Sequence, residues 1–201
     1  MDDVTDLDVL EAMDGIAILL APDLSIRRIG WRNWNSFWSR NGGDTNPSKW
    51  IGSDVTAFFS EGVVRSTYRK IFGEVAEHKR SLFRIEYRCD SPALKRSMRL
   101  SVTRVQHGAE FKGLLYQSTT LSVEHRPPIS IFDLPTVEAD RPSIVTICSI
   151  CAKIKWPSPD KKSNEEWIEP QEYYRRGGDE RVLLSHGFCP TCYEKLNDEE
   201  D

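Results

Sequence analysis

Cysteine is scarce in this chain, with five in 201 residues. Long apolar runs are missing too: the longest, Ile16 to Ala21, falls far short of the roughly 20 residues a helix needs to cross a bilayer, so no membrane span is expected. There is no basic excess, since 27 Lys and Arg face 31 Asp and Glu for a formal charge of −4. Such a chain lays no broad positive field toward phosphates or anionic lipid, and nucleic acid is not expected as a partner. The opening MDDVTDLDVLEAMDG is acidic, with apolar residues too dispersed for a signal-peptide core, so a cytoplasmic protein is expected. No internal repeat, nucleophile–base pair or carboxylate dyad at a telling spacing is visible, nor is a kinase, cyclase, phosphodiesterase or DNA-binding helix pair. A non-catalytic protein is the expectation.

What is present is concentrated near the end. Four of the five cysteines form two matched spacings, Cys148-x-x-Cys151 and Cys189-x-x-Cys192. In a reducing compartment, paired cysteines are more often metal ligands or redox thiols than structural disulfides. A two-residue gap lets both sulfurs of one turn reach the same ion, and two such turns complete a closed tetrahedral Zn²⁺ site. The insert of residues 152–188 is longer than a common zinc-finger loop, but closure entropy grows only logarithmically with length. A thioredoxin-like dithiol needs one pair in a βαβ unit, which is not evident, and a c-type haem needs His after a pair, where Ala152 and Tyr193 stand. Cys148, Cys151, Cys189 and Cys192 are therefore the expected metal ligands, with structural Zn²⁺ as cofactor. His186 lies three residues before Cys189; four thiolates already fill a tetrahedron, so it is expected to support the turn, with direct ligation left open. Trp167, Tyr173 and Tyr174 in the insert could form a minimal core whose folding is coupled to metal.

The preceding sequence reads as α+β. Ile16–Leu20 and the SIRRIGW run form a hairpin across Ala21-Pro22-Asp23-Leu24, because proline presets φ and Asp bonds its local backbone. Trp31, Trp34, Phe37 and Trp38 recur at helical spacing, in a short helix predicted to end at Gly42-Gly43. Ser53 or Asp54 begins a helical turn. Val64, Tyr68, Ile71, Phe72 and Val75 mark one face of a longer helix. From Ser81 the period becomes two: Phe83, Ile85, Tyr87 and Cys89 alternate with charges, Met98, Leu100 and Val102 follow suit, and a last strand runs from Glu110 to about Val123. Pro127, Pro128, Pro135 and Pro142 favour an extended linker. The expected domains are 1–124, a linker over 125–143, and a module over 144–201 that closes on an acidic tail.

The order of elements, with DGIAILLAPDLSIRRIGW as opening hairpin, WIGSDVTAFF as connector and a triple-strand ending, resembles a PAS sensor domain. That resemblance implies a five-stranded antiparallel sheet, helices over one face, and a pocket whose ligand is left open. CSICAKIK, WIEPQEY and SHGFCPTCYEKL together resemble the cysteine-pair modules that follow PAS, receiver or GAF domains in bacterial signalling proteins. RCDSPALKRSMRL is similar to a stretch in uncharacterised proteobacterial proteins that join a PAS-like domain to this tail. The resemblances imply a sensory or regulatory role, with output through a partner such as a two-component signalling protein or through homodimerisation. A thiol/zinc redox switch answering oxidants is the alternative.

RGGDE, residues 176–180, invites comparison with the diguanylate-cyclase signature, but a Gly-Gly turn explains it. His78 reads as an exposed helix-end histidine instead of a haem ligand, and His107 and His125 as solvated. Cys89 reads as a core cysteine. Arg88, Asp90, Arg96 and Arg99 read as solvated strand charges, with an ion-paired cluster as the other reading.

Overall fold

The computed structural model describes residues 4–41, 43, 45–60, 62–133, 143–156, 165–179 and 182–198, and the chain divides into two units. The first draws on Met1–Glu86 and Met98–Leu121, the second on Tyr87–Ser97 and Ser122–Glu199.

In the first unit, α1 (Asp6–Ala12) begins with a capping box in which Thr5 and Asp8 satisfy each other's backbone N–H groups. Strands β1 (Ile16–Leu20) and β2 (Ile26–Ile29) form the expected hairpin, with Ile18 opposite Ile29 and Leu20 opposite Ile26. Its turn works as the residue types predict: Asp23 Oδ1 accepts from the backbone N–H and hydroxyl of Ser25 at 2.9 and 2.6 Å. Helix α2 (Trp31–Arg40) buries Trp34, whose ring meets those of Trp38 and Phe58 at 5.6 and 5.8 Å. It closes at Asn41; Gly42, part of its expected stop, lies outside the described residues. Asp54 caps the 3-10 turn Val55–Phe58 by accepting from the Thr56 N–H.

Helix α3 (Val63–Ala76) buries all five residues of its expected face: Val64, Tyr68, Ile71, Phe72 and Val75. Each such side chain contributes about 1.5–3 kcal/mol by leaving water, which outweighs the weak helix propensity of the two β-branched residues at its start. Phe72 docks this face on the sheet, with centroids 6.3 Å from both Phe83 and Tyr116. The sheet is antiparallel and five-stranded, ordered β2-β1-β5-β4-β3, where β3 is Leu82–Arg88, β4 Leu94–His107 and β5 Glu110–His125. Phe83 and Ile85 are buried on β3 while Leu82, Arg84 and Glu86 face outward, and Met98, Leu100 and Val102 are buried on β4. The fold is therefore α+β, as the alternation predicts.

The second unit holds a four-stranded sheet ordered β8-β7-β6-β9, formed by β6 (Ser143–Cys148), β7 (Ile154–Lys155), β8 (Trp167–Ile168) and β9 (Val182–Gly187). β6 pairs antiparallel with β7 but parallel with β9, from Ser143 opposite Val182 to Cys148 opposite Gly187. Helix α4 (Pro170–Arg175) precedes β9, and α5 (Pro190–Asp198) follows it. The core gathers Ile129, Ile131, Val145, Ile147, Ala152, Ile154, Ile168, Tyr173 and Val182. Of the segment expected as a linker, residues 134–142 lie outside the described residues, while Ile129 and Ile131 are buried in this core. Tyr173 is buried and Tyr174 packs at the core's margin, whereas Trp167 is half-buried. Residues 199–201 of the tail also lie outside the described residues.

Within the RGGDE run, Arg176, Gly177 and Gly178 form the stop of α4, and Glu180 lies outside the described residues. Gly177 takes a left-handed φ of 82° and Gly178 lies so close to the Tyr173 ring that a Cβ would fall 2.3 Å from it, so a Gly-Gly turn accounts for the dipeptide. Among the described residues no helix is long and apolar enough to cross a membrane.

Candidate metal centre

Parallel pairing of β6 with β9 brings the two cysteine pairs together. Both strands run the same way and end side by side at Cys148 and Gly187, so the residues after each strand emerge at the same end of the sheet. A hydrogen bond of 2.8 Å between the hydroxyls of Thr146 and Ser185 adds a side-chain tie across the pair.

The first pair sits in the tight β6–β7 connection. The Ala152 N–H donates to Cys148 O at 3.0 Å and the Cys148 N–H donates to Lys153 O at 2.8 Å, closing a knuckle in which Ala152 takes φ of 58°. The second pair straddles the start of α5. The N–H groups of Cys192 and Tyr193 both donate to Cys189 O, at 3.1 and 2.9 Å, which winds Cys192 back toward Cys189. The Ser149 N–H donates to Gly187 O at 2.9 Å, and the Cys189 N–H donates to Cys148 Sγ at 3.4 Å, so each knuckle is tied to the other.

All four Sγ atoms lie within 4.8 Å of one another. The Cys151 and Cys189 sulfurs are 3.8 Å apart. A tetrahedron with metal–sulfur bonds of about 2.3 Å has edges of about 3.8 Å, so this separation fits one shared ion. Cys148, Cys189 and Cys192 are buried and Cys151 is half-buried. The cluster thus offers four sulfur ligands that could hold a metal ion. His186 is exposed and is not among these gathered ligand atoms.

The thiols share protons unequally in the absence of metal. Hydrogen bonds from the Cys151 and Cys192 thiols, joined by the backbone N–H groups of Cys151 and Cys189, hold Cys148 well below the ordinary thiol range. Cys151, whose proton serves Cys148, is pushed up to about 12. Cys192 is raised for the same reason. One buried negative charge shared by donors is a cheap state to bury, whereas several bare thiolates would repel one another.

The structure also corrects the expectation for the charged residues of β3 and β4. Arg88, Asp90 and Arg96 are not solvated. The Asp90 side chain is fully buried and pairs with both Arg88 and Arg126, and Arg96 is buried with its Nε donating to Cys89 O at 2.8 Å. Arg99 takes no part in this cluster and pairs with Glu86 at 2.7 Å, with both side chains well exposed. Sequence reasoning named three of these residues but missed Arg126 and Glu169. A charge in a proline-rich stretch and one before Pro170 carry no periodic signal that could have revealed them. Cys89, expected as a core cysteine, is instead half-buried just after β3, and burial raises its thiol. His78 ends α3 in a left-handed turn and is exposed, as are His107 and His125.

No family model matches this chain, and no curated protein matches it significantly. Among solved structures it is similar to a C-terminal domain from Streptococcus mutans, at 12% identity over 56% of this chain and 80% of that one, with a TM-score of 0.43. It is also similar to a domain of an HTR-like protein from Haloarcula marismortui, at 15% identity over 53% and 97% of the two chains, TM-score 0.35. A PAS domain of an HTR-like protein from the same organism matches at 16% identity over 56% and 86%, TM-score 0.32.

Proposed function

We propose that this chain is a cytoplasmic signal-sensing or regulatory protein without catalytic activity of its own. It acts through protein–protein contacts, and Cys148, Cys151, Cys189 and Cys192 hold a structural Zn²⁺ in its second unit. The observation that carries the zinc is the gathering of four sulfurs within 4.8 Å. Soft sulfur ligands in a tetrahedral set suit zinc or iron, and a four-thiolate zinc site leaves no coordination position open for substrate, which supports a structural role. The sensory part rests on the first unit's five-stranded sheet and helices, the arrangement that the PAS resemblance implies. Output passes to a two-component signalling partner or a second copy of the chain.

Native mass spectrometry of the freshly purified full chain tests the metal: about one Zn²⁺ per chain is expected. Cys148→Ser and Cys189→Ser should each lose the metal and the cooperative unfolding of the second unit. Protein that carries no metal, with both variants folding as before, sinks the zinc reading. The half-buried position of Cys151 favours one second reading, a thiol/zinc switch that an oxidant reaches from this side. Zinc retained through mild peroxide treatment removes it.

A further inference from the structure

Arg88 grips the first cysteine knuckle twice. Its backbone N–H donates to Ile150 O at 2.7 Å, and its Nη1 donates to Cys151 O at 3.2 Å. These carbonyls belong to the peptide that leads into Cys151 and the one that leaves it, so Arg88 sets the orientation of the one half-buried cysteine of the four.

The guanidinium is itself held on both sides. Nη1 also donates to Glu169 Oε2 at 2.7 Å, while Nε donates to Asp90 Oδ1 at 3.3 Å and Nη2 pairs with Asp90 Oδ2. Asp90 accepts further from Arg126 Nη1 at 2.8 Å and from the Arg96 backbone N–H at 3.2 Å. Arg126 directs Nε and Nη2 to Pro92 O and Ser91 O, at 3.3 and 2.9 Å. A carboxylate with no exposure, shared by two guanidinium groups, is a different object from a surface pair: its geometry is fixed because no water can replace a lost partner.

We propose that Arg88 is the positioning residue of the cysteine centre, fixing Cys151 for the metal and tying metal occupancy to the buried Asp90–Arg126 pair. This rests on the metal-binding reading above. Linkage makes the tie reciprocal: whatever the metal gains from an ordered Arg88, the Arg88–Asp90–Arg126 network gains from the metal. Arg126 begins the segment that buries Ile129 and Ile131, so metal loading orders residues 126–132 as well as the knuckles.

The test uses the full chain with Co²⁺, which reports thiolate ligation by its absorption. Wild type, Arg88→Lys and Arg88→Ala are titrated in competition with a chromophoric chelator, and hydrogen exchange of residues 126–132 is followed with and without metal. Lysine keeps a cation beside Asp90 but places its three donors on one nitrogen, without the planar fork by which Nε and Nη2 engage Asp90 while Nη1 reaches Glu169 and Cys151 O. The expected result is binding about 10-fold weaker for Arg88→Lys and about 100-fold weaker for Arg88→Ala, with a changed ligand-field band in both. Metal should slow exchange at residues 126–132 in wild type, with the effect reduced in Arg88→Lys. If Arg88→Ala does not fold, Arg88→Lys decides. Wild-type affinity, spectrum and exchange in Arg88→Lys overturn the role of Arg88 while leaving the metal reading intact. Wild type that takes up no Co²⁺ overturns both.

Discussion

Zinc uptake by this protein should release at least two protons per ion and grow steeply tighter as pH rises. Without metal, shared hydrogen bonds hold Cys148 below the ordinary thiol range, push Cys151 up to about 12 and raise Cys192. A metal takes only the deprotonated sulfur, so Cys151 and Cys192 must both give up a proton on binding. Each proton released steepens the affinity by tenfold per pH unit, so two give about 100-fold between pH 6.5 and 7.5, or about 2.7 kcal/mol. The sign follows from the raised values: protonation competes with the metal throughout the range below about 12, and affinity falls as pH falls. Calorimetry in buffers of different ionisation enthalpy counts the protons directly, and chelator competition across the pH range gives the slope. Release of fewer than two protons, or a slope near tenfold per unit, would refute the shared-proton arrangement around Cys148.

Three further outcomes follow from packing and charge. Phe72→Ala removes a fully buried ring that meets Phe59, Tyr68, Phe83 and Tyr116, and should cost about 3–5 kcal/mol in urea denaturation of the first unit. A loss near 1 kcal/mol would show that α3 does not depend on this contact. Gly113→Ala should destabilise by roughly 2 kcal/mol or more, because φ is 145° and the added Cβ would lie 1.9 Å from Leu20 O across the β1–β5 pairing; an unchanged melting temperature counts against that register. Asp90→Ala leaves Arg88 and Arg126 without their shared carboxylate and should cost the second unit about 3–5 kcal/mol, against about 1 kcal/mol or less for Glu86→Ala at the exposed pair with Arg99. Equal effects of the two substitutions would refute the distinction between buried and exposed pairs.

Much of the first unit could be read from local periodicity. The five buried positions of α3, the alternation of Phe83 and Ile85, and the Asp23 turn each depend on residues within a few positions of one another, where side-chain spacing dictates which face leaves water. The cysteine spacings were legible for a similar reason: a two-residue gap is a local geometric statement.

The rest depends on partners distant in the chain. Parallel pairing of β6 with β9 joins residues 39 positions apart, Ser143 with Val182, and no local pattern distinguishes it from an antiparallel return. The charges on β3 and β4 show the same division. Arg88, Asp90 and Arg96 alternate in sequence as a solvated face would, but Arg126 and Glu169 arrive from elsewhere in the chain and make burial of Asp90 affordable. Sequence by itself determined which segments form helix and strand in the first unit and which four sulfurs were candidates to meet. Only the tertiary structure decided that β6 and β9 lie parallel, so that both cysteine pairs emerge at one end of the sheet, and which charges leave water. Burial of a charge depends on the partners that fold around it, and those are set by long-range packing instead of by neighbours in the chain.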